Sequence, residues 1–345
     1  MALNRARRRL ISITVLVAIV LGGGGLLFKD SLRGLVDVMT GAEYSGSGSK
    51  NVVLTIHAGE TGEDVARSLV AAGVTKSFSP TYREILRTNA EFFPGQYQMR
   101  TEMSSALAIE LLLSGGSRVE TKVLIKEGWR ASQIFKALSK TYSVPVSEFE
   151  AVRPSDIGLP KSALNLDGYL FPATYAFVPG QSAESMLRAM HQRMLEELDD
   201  LGVESSQTHR VLTLAALVQR EGRSSSDFSK MARVFLNRID IGMHLQSDAT
   251  VSYGVNSTTV STTAAQRAND NPWNTYLHAG LPAGPISAPG RAAIEAALNP
   301  ANGEWLYFCT VNLETGETEF NETYAGHERS VAKWRAWMIA NPGWE

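Results

Sequence analysis

The chain has 345 residues, a formal net charge of −2 and a pI near 6.3. Hydrophobic residues make up 44% of it, enough for two or three packed domains and too many for a wholly disordered chain. The near-neutral balance gives no reason to expect nucleic acid as a partner. The single cysteine, Cys309, excludes an intramolecular disulfide without fixing the compartment.

Leu10 to Phe28 is a run of 19 residues without a charge. A bilayer core about 30 Å thick needs ~20 helical residues, so this run is expected to span a membrane. Arg5, Arg7, Arg8 and Arg9 precede it, which keeps the N-terminus in the cytoplasm and sends the rest of the chain outside. A cleaved signal peptide is the competing reading. No small-x-small cleavage site follows the run, which favours a retained anchor. Residues 29–50 end in GAEYSGSGSK, the composition of a flexible spacer.

Folded sequence begins with a strand over Val52–Ile56 and a turn over His57–Gly62. A helix over Glu63–Ala72 follows, with Val65, Ala66, Leu69 and Val70 on one face. Phe93–Tyr97 reads as a turn entering a strand, and Ser105–Leu113 as an amphipathic helix stopped by Gly115 and Gly116. A second strand, turn and helix follow at Lys122–Ile125, Lys126–Gly128 and Ala131–Ser139. At an offset of 69, Gly59 aligns with Gly128, Ile56 with Ile125, Val65 with Ile134 and Leu69 with Leu138. Two copies do not make a solenoid; they read as two small α/β pieces or as generic core elements.

Glu184–Leu201 is a longer helix whose outer face carries Asp199 and Asp200. His209–Gly222 is apolar nearly all round from Leu212 to Val218, the pattern of a buried helix, with Ser206 and Thr208 as candidate caps. A further helix runs from Ser224 to about Ile239. Two loop stretches follow, HLQSDATVSYG (244–254) and NPWNTYLHAGLPAGPISAPG (271–290). After these come a helix over Arg291–Leu298, a strand over Glu304–Val311 with Cys309 in the core, and a closing helix over Val331–Ile339.

Among side chains that could do chemistry, Glu221 stands out. It ends the buried helix, where the negative pole of the helix dipole and apolar neighbours both disfavour ionisation. A carboxylic acid protonated near neutral pH is what general-acid cleavage of a glycosidic bond requires. The same position also fits a Glu exposed in a last turn and paired with Arg220 or Arg223. The six histidines are scattered without metal-ligand spacing, and no nucleophile elbow or phosphate loop is present. Neither a metal nor a cofactor is expected. The loops after Ile241 are rich in Asn, Gln, Thr, Tyr and Trp, a lining that suits a carbohydrate and equally an ordinary set of turns.

LVQREG (217–222), VFLNRIDIGMHLQSDATVSYG (234–254), NPWNTYLHAGLPAGPISAPGRAAIEAALNPANGEWLYF (271–308) and LDGYLFPATY (166–175) resemble, in order and spacing, the signature segments of the YceG-like family of peptidoglycan lytic transglycosylases. The resemblance spans about residues 50–335 and the N-terminal anchor. It implies an α+β architecture: a cytoplasmic tail (1–9), a transmembrane helix (10–28), a flexible linker (29–50), a small LysM-like α/β subdomain (51–116) and a mixed α+β catalytic domain (117–345). It also implies catalysis by Glu221 and cleft positions for Asn237, Gln246, Asp248, Tyr253, Asn274 and Tyr276. Two positions depart from the family pattern. Gln219 stands where a second acid is often found, and Thr318 where a histidine is usual, while His327 keeps its place.

The expected activity is non-hydrolytic, endolytic cleavage between N-acetylmuramic acid and N-acetylglucosamine, giving 1,6-anhydro ends and setting nascent strand length. Expected partners are peptidoglycan glycan strands, the lipid bilayer through residues 10–28, and proteins of cell-wall synthesis. A water-using muramidase and a catalytically silent peptidoglycan-binding scaffold are the rival readings.

Overall fold

The computed structural model describes residues 41–343 apart from Ala58, Glu120, Pro179, Arg223 and Val260. The expected cytoplasmic tail and transmembrane run lie outside the described residues. Among those described, no helix is long and apolar enough to cross a membrane. The chain divides into two compact units, the first ending at Glu120 and also taking Val178–Gly180.

In the first unit, β1 (Asn51–Ile56), β2 (Gly95–Arg100) and β3 (Arg118–Val119) form an antiparallel sheet with β2 in the middle. Leu54 pairs with Tyr97 and Ile56 with Gly95. Alternation along β1 turns Leu54 and Ile56 inward, as the period of two requires. Between β1 and β2 lie α1 (Gly62–Ala71) and α2 (Phe78–Thr88); α3 (Ser105–Leu113) follows β2. A reciprocal capping box starts α1, with Asp64 N–H donating to Thr61 and Thr61 N–H donating to Asp64. Val65, Leu69, Ile85, Met99 and Ile109 complete the core. The helix α2 was not expected from sequence, because Pro80 and Thr81 break its apolar periodicity; both are buried in it. Residues of the Gly/Ser-rich spacer are bonded along this unit: Ser49 N–H donates to Thr101 O at 2.8 Å and Ser104 N–H to Gly46 O at 3.0 Å.

In the second unit, β4 (Lys122–Leu124) pairs antiparallel with β5 (Thr174–Ala176). Helices α4 (Ala131–Tyr142), α5 (Val146–Glu150), α6 (Ala183–Asp200), α7 (Thr208–Glu221), α8 (Phe228–Asp240), α9 (Asp248–Gly254), α10 (Ala264–Arg267) and α11 (Arg291–Leu298) build the body. An antiparallel pair, β6 (Tyr307–Thr310) and β7 (Thr318–Asn321), and α12 (Tyr324–Ala340) follow. The two strand-turn-helix pieces seen in the sequence both form. Gly59 and Gly128 have φ of +86° and +73°, the left-handed turn that favours glycine. The aligned pairs Ile56 and Ile125, Val65 and Ile134, and Leu69 and Leu138 are all buried. Their strands join different sheets.

The helix that carries Glu221 is the centre of the second unit. Every residue of α7 from Leu212 to Val218 is buried, packed against α8 and α11. A fully buried leucine contributes roughly 2 kcal/mol of transfer free energy, so this segment anchors the helix end firmly. Thr208 is the first helical residue rather than a cap, and Gln207 precedes it without a side-chain capping bond. The helix stops at Gly222, which is extended rather than left-handed. A Cβ there would run into the Phe228 ring, so glycine is required by packing.

Other expectations are corrected. Residues 248–254, read as loop, form α9, whose Thr250, Val251 and Ser252 are buried. Thr250 holds the helix start through bonds to Ser247 O (2.7 Å) and Thr275 Oγ1 (2.8 Å). Cys309 is half-buried in a two-stranded ribbon instead of lying in the core. The closing helix starts about two turns before its apolar pattern, where Thr323 caps it by accepting from Gly326 N–H.

Candidate active site

Glu221 opens on a cavity of about 370 Å³ lined by the end of α7, the inner face of α8, the start of α9, β6 and the start of α12. Each wall follows from a local rule. Helix α8 presents Phe235 and Arg238 one turn apart. The segment before α9 presents Leu245 to Asp248, and Tyr276 comes from the loop after α10. Tyr307, Phe308, Tyr324 and His327 close the opposite side.

Two helix ends meet at the Glu221 carboxyl. It sits at the negative pole of α7, and the first residues of α9 are turned toward it. Ser247 occupies the N-cap position of α9, but its hydroxyl donates to Glu221 Oε1 rather than serving its own helix. The backbone N–H of Ala249 is also bonded to the carboxyl. Burial pushes the Glu221 pKa up, and the neighbouring Asp248 charge adds to the rise. The bonds from Ser247 and Ala249 and the charge of Arg220 oppose it without cancelling it. The residue is partly exposed, and its carboxyl is desolvated by the protein around it.

The other polar walls are tied down. Asp248 Oδ1 accepts from Thr262 Oγ1 at 2.5 Å and from Tyr276 O–H at 2.9 Å. Burial and that bond push the Tyr276 hydroxyl up to about 12, so it stays a donor. Arg238 is half-buried and donates to the carbonyls of Leu306 (2.6 Å) and Leu245 (2.8 Å), with its guanidinium 5.2 Å from the Tyr307 ring centre. It brings a fixed positive charge near Glu221. His327 stacks on Tyr307 at 5.3 Å, and burial pulls its pKa down, which keeps the ring neutral. Gln246 has φ of +51°, a left-handed backbone that costs a non-glycine residue about 1–2 kcal/mol. The strain lies in the cavity wall, which the exposed Gln246 lines.

Of the residues singled out from sequence, the structure brings Glu221, Gln246, Asp248 and Tyr276 into one cavity. Three others stand behind it. Asn237 donates to the carbonyls of Gly303 (3.0 Å) and Trp305 (2.9 Å), tying α8 to the approach of β6. Tyr253 donates to the buried Asp167 at 2.7 Å, and Asp167 in turn accepts from Ala131 N–H at the start of α4. Asn274 is fully buried. It donates to Arg267 O (2.9 Å) and Asn269 O (2.7 Å) and accepts from Tyr276 N–H (3.0 Å). Gln219 accepts from Gly290 N–H at 3.0 Å and so fixes the entry to α11. Thr318 bonds across the ribbon to Thr310 at 3.1 Å. Sequence reasoning missed Ser247, Arg238, Tyr307 and Tyr324. Ser247 had a legible signal, since a serine directly before Asp-Ala-Thr is a typical helix start. Tyr307 and Tyr324 had none, because only the β6–β7 ribbon brings them to the cavity.

This is a carboxyl whose pKa burial raises, set in a polar, aromatic-walled cavity, an arrangement able to give a proton to a bound group and take one back. Among the described residues no cluster of His, Cys, Asp and Glu is arranged to hold a metal ion. Residues 54–333 match the model of the YceG-like family, and the chain belongs to that family. It is 28% identical over 336 residues to the endolytic murein transglycosylase of Bacillus subtilis (strain 168), with 90% of each chain covered. It is 26% identical over 368 residues to the protein of the same name from Streptococcus pneumoniae serotype 2 (strain D39 / NCTC 7466), covering 94% of this chain and 64% of that one. A crystal structure of a yceG-like protein from Listeria monocytogenes matches with a TM-score of 0.53 and 28% identity, covering 82% of this chain and 99% of that one.

Proposed function

We propose that this chain is an endolytic peptidoglycan lytic transglycosylase, held at the outer face of the cytoplasmic membrane by residues 10–28, with Glu221 as its catalytic acid and base. The observation that carries the reading is the enclosed Glu221 carboxyl, raised in pKa and open to a cavity of polar and aromatic side chains. Glu221 protonates the oxygen bridging N-acetylmuramic acid and N-acetylglucosamine. The resulting carboxylate then accepts the proton of the muramyl C6 hydroxyl as that oxygen closes onto C1, giving a 1,6-anhydro end. One residue serves both steps because the first leaves it in the form that the second needs. The tethered hydroxyl has a high effective molarity against water.

Asp248 is the carboxylate a hydrolytic rival would use. Its Oδ1 is committed to Thr262 and Tyr276, which favours a positioning role. The LysM-like reading of the first unit is part of this proposal, with that unit holding glycan near sites of strand synthesis. In this reading the cuts limit nascent strand length. The test is Glu221→Gln, which keeps size and removes the titratable proton. The variant folds and loses glycan cleavage; a folded variant cleaving at near the original rate refutes the proposal.

A further inference from the structure

Beside the candidate active site, Arg130 and Arg220 converge on one loop. Gly128 fixes that loop, its N–H donating to Ala288 O at 2.7 Å, while Ala288 N–H donates back to Trp129 O at 2.8 Å. Arg130, two residues on, enters α4 with its guanidinium 5.0 Å from the Tyr253 ring centre. Arg220 comes from the last turn of α7, one residue before Glu221, and reaches Gly128 O at 3.5 Å. The platform under Arg130 is rigid. Tyr253 is locked by Asp167 (2.7 Å) and Asn165 (2.8 Å) and packs on Trp273.

Neither guanidinium has a carboxylate within salt-bridge distance among the described residues, whereas Arg67, Arg87, Arg153, Arg188, Arg193 and Arg291 all do. Asp167, whose charge acts on Arg130, spends its oxygens on Ala131 N–H and Tyr253 O–H, and the acid that feels Arg220 is Glu221 itself. The two cations also work against each other. Burial and then the like charge of Arg220 hold Arg130 below the ordinary arginine value. Two adjacent guanidinium groups, one partly desolvated and neither held in an ion pair among the described residues, leave bidentate donors for an external anion, and carboxylates match that fork. The pair is close to the cleavage site. Tyr253 lies five residues along α9 from the cavity-lining Asp248, ~7.5 Å of helix rise.

We propose that Arg130 and Arg220 form a subsite for the free carboxylates of the peptide stems that branch from the glycan. The inference rests on the peptidoglycan reading above. The subsite makes the enzyme sense stems next to the bond it cuts, and so favours stem-bearing over naked glycan.

The test compares kcat/KM of the full-length chain on purified glycan strands with intact stems and on the same strands stripped by an amidase. The original chain prefers stem-bearing strands, and Arg130→Gln with Arg220→Gln lowers that preference by about tenfold, the worth of one charge-assisted contact. The ratio between substrates cancels any effect of Arg220 on Glu221 itself. Arg220→Gln alone, at an exposed position, moves the ratio in the same direction if the double variant fails to fold. An unchanged ratio, or no preference in the original chain, overturns the inference. If neither strand is cleaved, the functional reading fails. The subsite is then decided by calorimetric titration of a soluble muramyl peptide and its methyl ester. Binding lost on esterification or in Arg220→Gln supports it, and equal binding overturns it.

Discussion

Asn274→Ala separates a residue that builds the cavity from one that touches substrate. The amide of Asn274 makes three bonds inside the protein, to Arg267 O, to Asn269 O and from Tyr276 N–H. Its side chain has no exposed surface. Alanine leaves two carbonyls and one N–H without these partners. Asn269 O retains a weaker bond from Asn271 at 3.3 Å, so the loss is concentrated at Arg267 O and Tyr276 N–H. At about 1–3 kcal/mol for each buried group left unpaired, the variant loses ~3 kcal/mol. For a unit of this size each kcal/mol moves Tm by roughly 2–4 °C, so the melting temperature falls by about 6–12 °C. Cleavage falls with it, because Tyr276 is released from its register against Asp248. The assay is thermal unfolding of the full chain alongside glycan cleavage well below Tm. An unchanged Tm with lowered cleavage refutes this reasoning and makes Asn274 a glycan contact.

Two further outcomes follow from the Glu221 environment. Ser247→Ala removes a donor that favours the Glu221 carboxylate, so the pKa rises further and the alkaline limb of the pH–rate profile moves to higher pH; an unmoved limb shows that the hydroxyl is not coupled to the acid. Burial raises the folded-state pKa of Glu221 above its ordinary value of 4.5, so the folded chain holds this proton to higher pH than the unfolded chain. Stability from this group is complete below 4.5 and is lost as pH rises through the raised value. Glu221→Gln therefore melts with the original chain at acid pH and above it at neutral pH, and a Tm difference independent of pH contradicts the assignment.

The strongest elements were legible because local pattern and tertiary environment agree. The apolar run Leu212–Val218 reads as a buried helix and is one, and Ser105–Leu113 and Arg291–Leu298 form over the residues their periodicity marks. Helix α9 was illegible because Thr, Val, Ser and Gly are weak helix formers; contacts from Thr250 to Ser247 and Thr275 override that preference. Of the ribbon β6–β7, the first strand lies within the expected Glu304–Val311, and the second escaped for a different reason. That second strand, Thr318–Asn321, is short and polar, and only pairing with Tyr307–Thr310 defines it. At the site, Glu221 could be singled out from its place at the end of a buried helix. The sequence reading left two environments open for it, and the structure selects the enclosed one through Ser247 and Ala249. The polar residues around it could be gathered but not sorted. Asn274 and Tyr276 lie two apart, yet one faces inward to hold the loop and the other faces the cavity.

The central claim is that Glu221 closes the muramyl C6 oxygen onto C1 instead of admitting water. The direct measurement is mass spectrometry of the muramyl ends released from purified peptidoglycan by the full chain, with Asp248→Asn run alongside. The account predicts 1,6-anhydro ends, each lighter by one water than a reducing end, from within strands, and the same ends at a lower rate from Asp248→Asn. Reducing muramyl ends that vanish in Asp248→Asn contradict it and make the protein a two-carboxylate hydrolase.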